Sequence, residues 1–244
     1  MFGYIEILRP GNCIMSAVAV FIGALLVMGG GNINLLLDFT SSYRIYLAML
    51  VVFMITGAGN AINDYFDVES DRINRPRRPI PSGRVSVHGA LLYASALFIT
   101  GIILSGFINY FCFLIAAINS ILLILYSKNL QNKILIGNLV IGYLVGSTFL
   151  FGGAAMKNLA LPFWLFLLSM FSTISREIVK DIEDMEGDRK SFLKRLTYRI
   201  KKGIAERFRL GEGGIELAFE VKRARLLSFM ALLTAVVISP SRIS

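Results

Sequence analysis

NDYFDVESDR, Asn63 to Arg72, places four carboxylates in ten residues directly after an uncharged apolar run. The run reads as the end of a membrane span, and the acids as a cluster that something positive must hold. The rest of the chain agrees with the first half of that reading. Mean hydropathy is +0.67 and 55% of the 244 residues are hydrophobic, more apolar surface than a soluble domain can bury. Uncharged runs near bilayer-spanning length lie at about residues 11–37, 45–63, 89–108, 110–127, 134–156, 158–175 and 226–239. These predict an all-α, polytopic transmembrane helical bundle, because in lipid a helix satisfies its own backbone. Three regions are expected: a membrane bundle over 1–190 carrying the acidic motifs, a basic cytoplasmic or interfacial segment over 191–225, and a short transmembrane segment over 226–244.

Lysine and arginine set the orientation. With the amino terminus inside, inner segments hold 22 of the 25 basic residues, and only Arg44, Lys157 and Arg242 fall outside. The positive-inside rule then predicts an integral protein of the cell membrane with its amino terminus and polar loops in the cytoplasm. The net charge of +9 gathers on one face, where it attracts anionic headgroups and phosphorylated substrates. Nucleic acid is excluded as a partner, since no soluble basic domain accompanies the charge. MFGYIEILRPGN lacks the basic start and small-residue cleavage site of a signal peptide and reads as a retained interfacial segment. Cys13 and Cys112 stand singly in apolar runs and read as small buried hydrophobes.

The opening stretch has a twin. DYFDVESDR, Asp64 to Arg72, reappears 117 positions later as DIEDMEGDR, Asp181 to Arg189, with every Asp, the Glu and the terminal Arg in register. Asp64, Asp67 and Asp71, like Asp181, Asp184 and Asp188, occupy i, i+3 and i+7, so each trio is expected on one helical face. Both copies follow an even-numbered span and so emerge at the same membrane surface. A solvated helix end is the ordinary reading of one such run. Two matched copies at one surface favour a metal site instead. Unit charges about 6 Å apart repel by roughly 3 kcal/mol per pair at an effective dielectric near 20, so converging carboxylates require bound cations. Oxygen donors without a His or Cys cluster suit Mg²⁺. The metal candidates are Asp64, Asp67, Asp71, Asp181, Asp184 and Asp188. Asn63 is a neutral supporting ligand, and Asp64 and Asp181 are candidates for an outer position.

Basic residues adjoin the acids. INRPRRPIPSGRVS, Ile73 to Ser86, is a Pro-punctuated loop with Arg75, Arg77, Arg78 and Arg84. Arginine forks bind phosphate oxygens bidentately, and proline limits the entropy lost in holding them ready. Acidic metal sites beside a basic loop, over an apolar bundle, suit a diphosphate with a hydrocarbon tail. Its departure from an allylic carbon is eased by cations. Arg72, Arg78, Lys128 and Lys180 are the candidate contacts to diphosphate or acceptor phosphate, and Lys133 is a further candidate. Tyr126 is placed to shield a carbocation with its ring face. Tyr and Lys are also ordinary interfacial anchors. His88 reads as a residue at a helix start.

These residues resemble a known family. NDYFDVESDRINRPRRPIPSGRVS is similar to the first signature of the UbiA superfamily of intramembrane prenyltransferases, N-x-x-x-D-x-x-x-D, met by Asn63, Asp67 and Asp71. KDIEDMEGDR is similar to its second, with Asp184 and Asp188 in the D-x-x-x-D positions, and Tyr126 to Lys128 with Gly137 and Asn138 resemble its middle segment. The resemblance runs from about Arg9 to Asp188. It implies helices around a central cavity open to lipid, and Mg²⁺-dependent prenyl transfer from a prenyl diphosphate, with Asp67, Asp71, Asp184 and Asp188 as the catalytic acids. REIVKDIEDMEGD, Arg176 to Asp188, is most similar to the archaeal ether-lipid branch. That branch moves geranylgeranyl from its diphosphate to the hydroxyl of a lipid phosphate, geranylgeranylglyceryl phosphate. Quinone and haem branches, with aromatic or vinyl acceptors, are the alternatives. Prenyl chain length and oligomeric state are left open.

The carboxyl end departs from the family. Members usually have about nine spans, whereas here a long basic stretch, with 192–209 expected as an amphipathic surface helix, leads to one short span. Fewer C-terminal helices than usual are therefore expected. Two other classes fit less well. CDP-alcohol phosphotransferases keep their acids in one D-x-x-D-G-x-x-A-R motif, which does not occur. A divalent metal transporter would place carboxylates near helix midpoints, where each costs at least about 3 kcal/mol and marks a path; here they lie at span ends.

Overall fold

The computed structural model describes residues 2–28, 39–131 and 134–201, with the backbone alone for 39–42, 134 and 184–201. Its elements are α1 (Phe2–Leu8), α2 (Pro10–Val27), α3 (Phe39–Phe66), α4 (Val68–Asn74), α5 (Val87–Gly106), α6 (Tyr110–Leu125), a π-helical turn (Tyr126–Leu130), α7 (Ile134–Ala155) and α8 (Ala160–Lys201). Among the described residues no strand occurs, as the bilayer requirement predicts. The chain forms two compact units, one ending at Met170 and a second from Phe171 onward.

Five helical segments of the first unit are long and apolar enough to cross a membrane: Pro10–Val27, Tyr43–Phe66, Val87–Gly106, Tyr110–Leu130 and Leu135–Ala155. The protein is an integral membrane protein. These segments overlap the first five expected spans; the part of the first expected at 29–37 lies outside the described residues. The sixth differs. α8 has an uncharged stretch only from Ala160 to Ser175 before Arg176, about 24 Å at helical rise against a hydrocarbon core of about 30 Å. Its backbone then continues through the second acidic motif and the first part of the basic segment to Lys201. The expected seventh span lies outside the described residues.

α3 is the central helix of the first unit. More than half of its spanning window, 56%, is buried, against 22% for α5 and α6. Ala48, Val51, Val52, Ile55, Ala58, Ala61 and Ile62 recur every three or four positions and point inward. Tyr46 and Leu50 remain exposed, as lipid-facing positions of a spanning helix do. α2 and α7 approach closely because glycine permits it: a Cβ at Gly152 would lie 2.0 Å from the Val20 carbonyl oxygen, and one at Gly23 2.3 Å from that of Phe149.

Several polar side chains inside the bundle find partners within it, whereas among the described residues Asn119 Oδ1 and Arg44 Nε are buried without one. Ser105, Ser120 and Ser147 donate to the carbonyls of Ile102, Ala116 and Leu144, and Asn119 joins α6 to α7 by donating to Ser147 Oγ at 2.9 Å. Ser86 and Asn109 cap α5 and α6, accepting from the amides of Gly89 and Cys112. His88 lies exposed in the first turn of α5, the position expected of it. Cys13 and Cys112 are fully buried free thiols.

Candidate active site

At the end of α3 the apolar side chains give way to Asn60, Asn63 and Asp64. The helix breaks at Asp67, whose φ of −84° and ψ of 3° separate α3 from α4. The backbone ladder nonetheless persists, because the amide of Asp67 donates to Asn63 at 2.9 Å and that of Asp71 to Asp67 at 2.8 Å. Asp64 and Asp71 therefore stay on one side, two turns apart, and both are buried.

One guanidinium joins them. Arg78 Nη1 donates to Asp64 Oδ1 at 3.2 Å and to Asp71 Oδ2 at 2.5 Å. A second cation comes from the amino-terminal segment, where Arg9 donates to Asp64 Oδ1. Arg9 adopts the left-handed conformation, φ 52° and ψ 69°, at the corner between α1 and α2. Such a backbone is uncommon for a residue other than glycine, and it tends to persist where surrounding contacts over-determine it. Those contacts are present: Asn60 Nδ2 donates to the Leu8 carbonyl at 2.7 Å, tying the end of α1 to α3.

The third acid of the motif faces a different partner. Gln131 Nε2 donates to Asp67 Oδ1 at 2.6 Å, while its Oε1 accepts from Asn63 Nδ2 at 2.9 Å. Gln131 is delivered by the π-helical turn, closed by its amide donating to the Tyr126 carbonyl at 3.0 Å. The expectation that Asp64, Asp67 and Asp71 share one face is corrected accordingly. Arg78 binds the first and last, and Asp67, at the break, turns with Asn63 toward Gln131. Two buried carboxylates are matched by two guanidiniums, and half-buried Asp67 has an amide partner and no cation among the described residues.

The other sequence candidates divide. Arg72 is not in the cluster; it is exposed and pairs with Glu69 at 2.9 Å. Lys128 is exposed in the π-helical turn and Tyr126 half-buried at its start. In the second unit, Asp181 is half-buried and Lys180 is exposed, 3.9 Å from Glu177. The backbone of α8 is continuous through Asp181, Asp184 and Asp188. The side chains of Asp184 and Asp188, and all of Lys133, lie outside the described residues.

Among the described residues no three acids, histidines or cysteines group as metal ligands. The donors that do converge at the end of α3 are carboxylate and amide oxygens, a chemistry that fits Mg²⁺ and not zinc. The motif spacing does not mark Arg9 or Gln131 as site residues. The signal for Arg9 was a lone cation before a proline in an apolar segment, and for Gln131 a polar loop sharing the membrane surface of the acids.

Beyond Arg78 the loop is braced. Arg84 Nη2 donates to Glu6 Oε1 at 3.2 Å and to the Arg77 carbonyl at 2.6 Å. The hydrogen bond to Glu6 pushes the Arg84 guanidinium above its ordinary pKa.

The profile of the UbiA prenyltransferase family matches residues 16–240. The chain belongs to that family. It is 45% identical over 207 residues to the digeranylgeranylglyceryl phosphate synthase of Methanopyrus kandleri, covering 85% of this chain and 73% of that protein. To the enzyme of the same name from Methanosarcina mazei it is 41% identical over 251 residues, covering 97% and 78%. With the Methanococcus aeolicus enzyme of that name the match covers 64% of the relative's length. Among solved structures, one described for digeranylgeranylglyceryl phosphate synthase in membranes superposes with a TM-score of 0.75 at 39% identity, covering 98% of this chain and 75% of that one. A UbiA homolog from Archaeoglobus fulgidus bound to GPP and Mg²⁺ shares the fold, with a TM-score of 0.63 at 18% identity over 97% of this chain and 78% of that one. The prenyltransferase fold expected from the two acidic signatures is thus the fold observed.

Proposed function

We propose that this UbiA-family protein transfers a geranylgeranyl group from geranylgeranyl diphosphate to the hydroxyl of geranylgeranylglyceryl phosphate, with Mg²⁺ as cofactor. The observation that carries the reading is the buried pair Asp64 and Asp71 bound by one arginine, Arg78, at the end of the central span. Charged groups held there by design make a site for a polar head whose tail lies among the helices. The identity with relatives of that name supports this acceptor over the aromatic and haem alternatives.

Asp67 with Asp71, Asp184 and Asp188 would hold Mg²⁺, with Asn63 supporting and Asp64 and Asp181 behind them. Held by these residues, Mg²⁺ would supply positive charge to balance the diphosphate leaving group. Arg78 is the residue that can exchange a carboxylate for a phosphate oxygen without leaving the site, and Lys128 and Lys180 are candidates for the remaining charge. In the reaction the allylic carbon–oxygen bond to diphosphate breaks, the acceptor oxygen forms the new carbon–oxygen bond, and the hydroxyl proton is released. A strong base is unnecessary, since an allylic cation captures a weakly activated oxygen. Tyr126, at the start of the π-helical turn, is the candidate ring to shield such a cation. The excess of Lys and Arg on one side supports a site at the cytoplasmic surface of the cell membrane, with residues 1–190 proposed as the catalytic bundle.

The test is transfer by purified protein from labelled geranylgeranyl diphosphate to geranylgeranylglyceryl phosphate and to 4-hydroxybenzoate, with and without chelator. Product on the glycerol lipid, lost with chelator and restored by Mg²⁺, is expected. Product on the aromatic ring alone would refute the acceptor, and undiminished transfer in chelator would refute the cofactor.

A further inference from the structure

Beside the carboxylate pair lies a groove of about 360 Å³ lined by Glu6, Asn74, Arg75, Pro76, Arg77 and Arg78. None of Asp64, Asp67 and Asp71 lines it, so an anion seated there meets cations directly. The loop arginines differ in their commitments. Arg78 is held by the buried acids and Arg84 by Glu6. Arg75 and Arg77 are exposed, and neither side chain has an ion pair among the described residues. Arg84 and the backbone hold their platform rigid: the Arg75 amide donates to Asp71 at 2.8 Å, the Arg78 amide to Arg75 at 3.0 Å, and Arg84 grips the Arg77 carbonyl. Glu6, the one acid of the groove, is already neutralised by Arg84.

Exposed apolar residues occur on the helices that supply the lining. Ile5 beside Glu6 is 50% exposed, Ile73 beside Asn74 is 83% exposed, and Phe2 on α1 is 86% exposed. Large exposed hydrophobes on the same helices as a cationic groove suit a depth where lipid tails meet headgroups. A phosphomonoester carries close to two charges near neutral pH and matches two guanidinium forks, which bind it bidentately.

We propose that Arg75 and Arg77 form the subsite for the phosphomonoester of the lipid acceptor, separate from the diphosphate site and joined to it through Arg78. This rests on the transferase reading above and names the residues that select a phosphorylated acceptor.

The test compares kcat/KM for geranylgeranylglyceryl phosphate with that for geranylgeranylglycerol, its unphosphorylated counterpart, in wild type and in Arg75→Gln/Arg77→Gln. Neutral detergent and vesicles containing an anionic phosphodiester lipid are the two settings. The expected result is at least a tenfold fall in the phosphorylated-to-unphosphorylated ratio in both settings, with the KM for prenyl diphosphate within twofold. A ratio is insensitive to lost folded protein, because both acceptors report on the same enzyme. Arg75→Lys/Arg77→Lys is expected to restore part of the ratio. An unchanged ratio, a fall confined to anionic vesicles, or an equal rise in donor KM would overturn the subsite while leaving the transferase reading intact. Absence of wild-type transfer to either glycerol lipid would overturn both.

Discussion

Replacing Arg78 by methionine removes the guanidinium while keeping most of its volume, and the contacts it loses set the size of the effect. Arg78 Nη1 touches two buried carboxylates, at 3.2 Å and 2.5 Å. Each attraction is worth about 4 kcal/mol at 4 Å and an effective dielectric of 20 before desolvation is subtracted. Taking one partner from a buried pair leaves a charge uncompensated and costs about 3–5 kcal/mol. The two acids do not suffer equally. Asp64 keeps Arg9, whereas Asp71 keeps no cation among the described residues. Arg78→Met alone should therefore destabilise by about 3–5 kcal/mol, a fall in Tm of about 10 °C for a chain of this length. Adding Asp71→Asn removes the stranded charge, so the double variant should be more stable than the summed single effects by about 2 kcal/mol. Thermal unfolding of the four proteins in one detergent measures the cycle. If the two substitutions add within about 0.5 kcal/mol, the Arg78–Asp71 pair carries no coupling and the site's assumed electrostatic frame is wrong.

Two further predictions use other parts of the molecule. Asp67→Ala or Asp184→Ala should abolish prenyl transfer while membrane expression stays at the wild-type level; turnover within threefold of wild type in either variant contradicts its role. Gly152→Val should destabilise by at least about 3 kcal/mol or prevent folding, since its Cβ would stand 2.0 Å from the Val20 carbonyl oxygen. Gly11→Ala, with nothing within 4 Å of the new methyl, should be near neutral in the same melt; equal effects of the two would refute the close α2–α7 contact.

Much of this protein is legible along the chain because the bilayer makes local demands. Length and apolarity of a run suffice to define a span, since a helix in lipid must satisfy its own backbone. Five described spans overlap the first five runs, and the matched spacing of Asp64, Asp67 and Asp71 with Asp181, Asp184 and Asp188 singles out the acids. The sixth run stands as the margin of that rule: its uncharged stretch from Ala160 ends at Ser175.

Pairing was decided by tertiary structure. Nothing in the i, i+3, i+7 pattern says that Asp67 would turn away from its neighbours, because that depends on the break between α3 and α4 and on the π-helical turn that presents Gln131. Nor does Arg9, more than fifty residues before Asp64, announce its partner. It reaches Asp64 because Asn60 anchors the Leu8 carbonyl and the chain accepts a left-handed corner at Arg9. Composition and periodicity act over a turn or two of helix and so determined spans, acids and basic loop. Which cation meets which acid depends on how separate helices pack, a relation that exists only in three dimensions.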